Sequence, residues 1–133
     1  MNISDNVTFE TSIATQHIKI INQPNKIELE CMRQVAINCY EPLLKWYKKP
    51  IKINSFFRSQ ELNSKVKGLK DSQHMKGQAI DFTGGNVLEN KKLFNWCLGN
   101  LNFDQLINEE YYTWFHISYV KDHNRKQVIN IDK

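Results

Sequence analysis

The sequence predicts an α+β fold, with N-terminal helices packed on a small, mostly antiparallel sheet. Two observations carry that expectation. Met32, Val35, Ala36, Cys39 and Leu43 recur at the three-to-four spacing of one buried helical face. Towards the end of the chain the period shortens to two. Trp114, His116 and Ser118 fall on one face of a strand there, and Phe115, Ile117 and Tyr119 on the other.

Taken in order, the segment through His17 reads as a short helix carrying Phe9, Ile13 and Ala14, followed by a turn at Asn22-Gln23-Pro24-Asn25. The longer helix comes next. Pro42 is expected to kink or restart it, because proline has no N–H to donate. Ile51, Ile53 and Ser55 alternate with Lys52 and Asn54, which predicts a strand ending near Phe57. Ser59 suits the cap of a short helix through Leu62, and Gly68 marks a turn. Residues 78–82 form a short strand. Asn86 with Glu89 three residues on has the form of a capping box. The helix it opens carries Leu93, Trp96 and Cys97 at core spacing, with Gly99 at its end. Strands at 103–108, 113–120 and 127–131 close the chain.

At 133 residues, 41% hydrophobic and 24% charged, the chain suits one domain spanning 1–133, with a core that needs no disulfide staple. Apolar and aromatic residues along its whole length exclude intrinsic disorder. No apolar run approaches the ~20 residues of a membrane span, so membrane insertion is not expected. The opening Met1-Asn2-Ile3-Ser4-Asp5-Asn6 lacks the basic start and apolar stretch of a secretory signal. The expectation is a monomer made in the cytoplasm that reaches any outside target by another route. Cys31, Cys39 and Cys97 are odd in number and lack CxxC spacing, which reads as free thiols rather than disulfides or a thiolate metal site. The net charge of +4 is mild. Lys45, Lys48 and Lys49, with Trp46 and Tyr47 among them, read as a solvated helix end, and nucleic acid is not an expected partner. His17 and His123 stand alone, at a helix end and a hairpin turn.

The stretch that carries chemistry is Ser72-Gln73-His74-Met75-Lys76-Gly77-Gln78-Ala79-Ile80-Asp81. It puts a histidine in a loop and an aspartate within the strand that follows, and a loop-to-strand crossing can bring the two together. Gly77 allows a tight turn or a close approach there. His116, mid-strand among large apolar residues, offers a third ligand where an unpaired imidazole would be costly. Two histidines and one carboxylate leave the fourth position of a zinc ion open, which is the catalytic rather than the structural arrangement.

The pattern SxHxxGxAxD followed by WxHxS resembles the zinc D-Ala-D-Ala carboxypeptidase family, which includes phage endolysin peptidases and, by fold, the hedgehog signalling domain. Ile53-Asn54-Ser55-Phe56-Phe57-Arg58-Ser59, with Leu62-Asn63 through Gly68, is similar to the family strand that ends in an arginine. Phe103-Asp104-Gln105-Leu106-Ile107-Asn108-Glu109 resembles a strand of its small, phage-type branch. The matching span runs from about Pro42 to Tyr119. The resemblance implies a hedgehog-like peptidase fold and a site in which His74, Asp81 and His116 bind Zn²⁺. It also implies that Arg58 faces the site, where a guanidinium would hold a peptide carboxylate or stabilise an oxyanion. Ser72 and Gln73, beside the first ligand, are expected to bind substrate.

One position departs from the family pattern. Many relatives carry an acid three residues before the last histidine, and Thr113 stands there. Glu109 and Glu110, at the end of the preceding strand, are the replacement candidates for the general base, with Glu109 favoured because it matches the family strand. The implied function is hydrolysis of a peptide bond in the peptidoglycan stem peptide, by a carboxypeptidase or an endolysin-like endopeptidase. The alternative is a zinc-stabilised binding or structural module of the same fold that has lost catalysis.

Overall fold

A computed structural model describes residues 2–131, and the expected domain span of 1–133 runs past them at both ends. The chain begins with a small antiparallel pair that the sequence pattern did not reveal, β1 (Asn2–Ser4) with β2 (Val7–Thr8). Thr8 then caps α1 (Phe9–Ser12), its side chain accepting from the Thr11 N–H. This helix stops well before His17, because the segment is tied down at Ser12: its hydroxyl donates to the Phe9 carbonyl and its carbonyl accepts from the Phe57 N–H. His17 therefore sits in a loop rather than at a helix end.

Asn25 opens α2 (Lys26–Val35) with a full capping box, closed by Glu28. The helix runs into one π turn (Ala36–Tyr40) and on into α3 (Glu41–Tyr47). Pro42 occupies the first turn of α3, so the interruption it causes lies upstream of it. The wide turn, in which the Glu41 N–H reaches the Ala36 carbonyl, accommodates the break without ending the helical path. Lys45, Lys48 and Lys49 are exposed around the end of α3, while Trp46 stacks on Trp96.

The remaining elements are β3 (Lys52–Ser55), α4 (Gln60–Lys65), a 3₁₀ turn (Gln73–Lys76), β4 (Ala79–Thr83), α5 (Val87–Asn100), β5 (Gln105–Glu109), β6 (Trp114–Ser118) and β7 (Gln127–Asn130). Ser59 caps α4 as expected. Asn86 caps α5, but Glu89 does not close the box. Its carboxylate turns instead to the Tyr47 hydroxyl and to Lys49 and Lys92. Gly99 lies inside α5 rather than after it, since the helix continues through Asn100.

The main sheet has the order β3-β4-β6-β5-β7. Every pairing is antiparallel except β5 with β7, which is parallel. This is a mixed α+β architecture. One sheet face, carrying Ile80, Phe82, Leu106, Phe115 and Ile117, packs on Met32, Val35, Ala36, Cys39 and Leu43 from the N-terminal helices and on Leu93, Phe94 and Cys97 from α5. Cys39 and Cys97 are buried there as free thiols, burial pushing the Cys39 thiol up to about 12. Cys31 is partly covered and also free. Among the described residues, no helix is long and apolar enough to cross a membrane. Because side chains alternate across a sheet, packing Phe115 and Ile117 into this core sends His116 to the other face.

Candidate metal centre and its cleft

That other face carries the chemistry. Asp81 on β4 is paired directly opposite His116 on β6, and His116 Nδ1 lies 2.9 Å from Asp81 Oδ1. His74 arrives from the 3₁₀ turn, where Ser72 caps the turn by accepting from the His74 N–H. Gly77 ends the turn at φ 74, a left-handed conformation. A Cβ there would also overlap the Glu28 carbonyl and lie 2.8 Å from Met32 Cγ, so only glycine lets the turn lie against α2.

His74, Asp81 and His116 are all buried, and one ligand atom from each lies within 4.8 Å of the others. Donor atoms about 2.0–2.2 Å from a tetrahedral zinc stand about 3.4 Å apart, so the spacing fits one ion. The hydrogen bonding makes a sharper case. His74 Nδ1 lies 2.7 Å from the Phe56 carbonyl. A carbonyl only accepts, so Nδ1 carries a proton, and in the neutral ring Nε2 is a bare lone pair. That Nε2 is buried, makes no hydrogen bond, and sits 3.1 Å from Asp81 Oδ2. A lone pair facing a carboxylate oxygen in a buried site calls for a cation between them. The donor set therefore fits a divalent metal.

The match to a known family follows the same residues. The family model of peptidase M15 matches residues 8–118. The chain belongs to the peptidase M15 family. Among curated proteins, no sequence matches it. M15 enzymes are zinc-dependent metallopeptidases, which agrees with the His-Asp-His donor set.

Around the candidate metal centre of this M15 member lies a cleft of about 860 Å³ that also takes in Arg58, Ser72, Gln73, Glu109, Trp114 and Arg125. Arg58 is held on three sides. Its Nε donates to Ser55 Oγ at 3.0 Å, Nη1 to Asn63 Oδ1 at 3.1 Å, and Nη2 lies 3.4 Å from Asp81 Oδ2. Asn63 is buried and anchored in turn, donating to the Leu69 carbonyl. Gly68 gives the pair room: a Cβ at this position would overlap Asn63 Oδ1 and lie 2.8 Å from Arg58 Nη1.

The two candidate acids part company in the structure. Glu109 is the last residue of β5, half-buried on the cleft face with Gln105 and Ile107. Burial and the nearby Asp81 charge raise its carboxyl above the ordinary value, against the opposing pull of His116 and Arg58. Glu110 is exposed and begins a turn in which Glu110, Tyr111 and Tyr112 all have left-handed φ, at 46, 51 and 61. Its carbonyl, rather than its carboxylate, is engaged, accepting from the Thr113 hydroxyl. Thr113 is itself exposed on that turn. Ser72 and Gln73 line the cleft, with Ser72 as the cap of the turn and Gln73 Nε2 as a donor to Asp104 Oδ2 at 2.9 Å, while Gln73 Oε1 is buried without a partner among the described residues.

Three groups near the site escaped sequence reasoning. Asn90 has zero exposure and binds Thr83, Gly84, Tyr112 and Thr113 at once. The sequence does carry its signal, a polar residue at a position in register with the buried Leu93, Phe94 and Cys97. Asn63 stood inside a recognised stretch with no assigned task. Asp104 and Arg125, distant in sequence, meet at the foot of β5, and nothing local announces the pair.

Proposed function

We propose that this M15 member is a zinc-dependent peptidase that hydrolyses a peptide bond of the cell-wall stem peptide, in the manner of a carboxypeptidase or an endolysin-like endopeptidase. The observation that carries the reading is the bare, buried Nε2 of His74 aimed at Asp81, a donor set that is satisfied by a metal ion. His74, Asp81 and His116 would hold the zinc, and the fold around them would be the hedgehog-like peptidase fold.

Bound there, zinc supplies Lewis acidity and brings the pKa of water towards ~7. Glu109 is the general base in this reading, taking a proton from the attacking water and returning it to the leaving amine. Arg58, fixed by Ser55 and Asn63, places a guanidinium where negative charge develops on the scissile carbonyl oxygen. Ser72 and Gln73 shape the wall against which the peptide lies.

The test is digestion of purified sacculi by the zinc-loaded chain, followed by mass spectrometry of the muropeptides. Chelator-sensitive release of new amines is expected, and the product masses name the bond cut. Wall release that ignores chelator removes the zinc mechanism. Bound zinc without any release assigns the chain to the binding-module alternative, with Thr113 as the mark of lost catalysis.

A further inference from the structure

The cleft continues past the metal centre to a charged group that the hydrolytic chemistry does not use. On the cleft face of β5, Glu109, Ile107 and Gln105 follow one another, and Ile107 is paired with His116. Glu109 thus lies one two-residue step to one side of the metal row, and Gln105 one step to the other, each about 7 Å along the strand. Beyond Gln105 stands Arg125, on the segment that leads into β7, where Gln127 pairs with Gln105.

Arg125 is fixed in a way exposed arginines seldom are. Its Nε donates to Asp104 Oδ1 at 2.9 Å and its Nη2 to Asp104 Oδ2 at 2.8 Å, while its backbone N–H also reaches Oδ1. Asp104 is only 2% exposed and is braced by Gln73 from the His74 turn. The arginine side chain as a whole remains 59% exposed, and Nη1 has no partner among the described residues. The result is a pre-oriented donor edge at the end of the cleft, with its rotamer already set by a buried carboxylate.

We propose that Arg125, braced by Asp104, is a carboxylate-binding subsite that selects peptides carrying an anionic group about three to four residues from the scissile bond. An extended peptide advances ~3.3–3.6 Å per residue, and Arg125 stands level with Phe103–Asp104 past Gln105, so a group three to four residues along reaches from the metal row to it. The inference rests on the peptidase reading and deepens it. Two carboxylates of a stem peptide have the required chemistry, the C-terminal one and that of the internal D-glutamate.

The experiment uses the zinc-loaded chain and three peptides: a stem pentapeptide with a free C-terminus, its C-terminal amide, and the pentapeptide with D-isoglutamine in place of D-glutamate. KM and kcat are measured separately. One of the two neutralised peptides is expected to show a KM about tenfold higher than the parent, and which one identifies the carboxylate. In Arg125→Gln that ratio falls to near one, and Arg125→Lys, which keeps the charge without the fork, gives an intermediate value. Zinc content and thermal midpoint confirm that each variant is folded. The proposal is overturned if wild type treats all three peptides alike, a result that needs no variant, or if the discrimination survives in Arg125→Gln. If no peptide is cleaved, the peptidase reading fails separately. Calorimetric binding of the same three peptides to wild type and Arg125→Gln then decides the subsite by the same ratios.

Discussion

Asn90 Nδ2 donates to the Tyr112 carbonyl at 2.8 Å, joining α5 to the left-handed turn that follows Glu109. The same side chain accepts from the Gly84 N–H at 2.7 Å, just past the strand that carries Asp81. One buried amide therefore spans the end of β4 and the tip of the β5–β6 hairpin. Left-handed backbone costs non-glycine residues roughly 1–2 kcal/mol each, so three in succession need such bracing. Asn90→Ala leaves both the Gly84 N–H and the Tyr112 carbonyl unpaired. A loss of about 1–3 kcal/mol in urea unfolding is expected.

Metal binding depends on the imidazoles. His74→Ala or His116→Ala should abolish zinc uptake and activity together, as read by metal analysis of the purified variants. Chelation of wild type should lower the thermal midpoint and zinc should restore it, because a ligand that binds only the folded state stabilises it. Full zinc occupancy in either alanine variant would falsify the ligand assignment.

Glu109→Gln preserves shape and should keep zinc and fold. Turnover on sacculi should fall by roughly 10²–10⁴-fold, the worth of a positioned proton-transfer group. Glu110→Gln should be nearly silent, since Glu110 is exposed on the turn and does not line the cleft. The reverse pattern would move the base to Glu110, and activity in both variants would remove both carboxylates from the mechanism.

Gly68→Ala tests the placement of Arg58. The added methyl would collide with Asn63 Oδ1 and press on Arg58 Nη1. Zinc occupancy should be retained while kcat falls, because the arginine is displaced and the ligands are not. Loss of zinc in parallel with activity would show that the damage is general.

Acid stability has a local contributor far from the cleft. The Tyr47 hydroxyl, with Lys92 and Lys49, lowers the Glu89 carboxyl from 4.5 to about 2. A carboxyl depressed on folding contributes stability that is present above its unfolded value and lost as pH falls through the folded one. The loss should therefore fall between about pH 4.5 and pH 2. Tyr47→Phe removes the largest cause, so its urea midpoint should fall less steeply than that of wild type across this window. Equal slopes would remove Tyr47 from that role.

The His74-Asp81-His116 cluster was legible in the sequence because it follows from residue type and near-sequence spacing. His74 and Asp81 flank one turn, and His116 is a polar break in an apolar strand. The long helices and strands were legible from their periods. What failed was local: Asn25 with Glu28 forms the true capping box, whereas Glu89 is drawn off by Tyr47, a partner that only tertiary packing supplies. The β1–β2 pair is too short to impose a period. The left-handed turn at Glu110–Tyr112 contains no glycine to announce it, being held by Asn90 and Asn108 from outside. Side-chain braces of this kind leave no trace in hydropathy.

The parallel pairing of β7 with β5 has a consequence for the order in which the molecule is made. A chain synthesised as far as Ser118 already contains β3, β4, β5 and β6 and all three metal-binding side chains. It lacks the segment from Arg125 into β7, which must return across the sheet to lie beside β5. In sequence order, the His-Asp-His cluster is thus complete by His116, while the Asp104–Arg125 pair is closed only by the segment that follows.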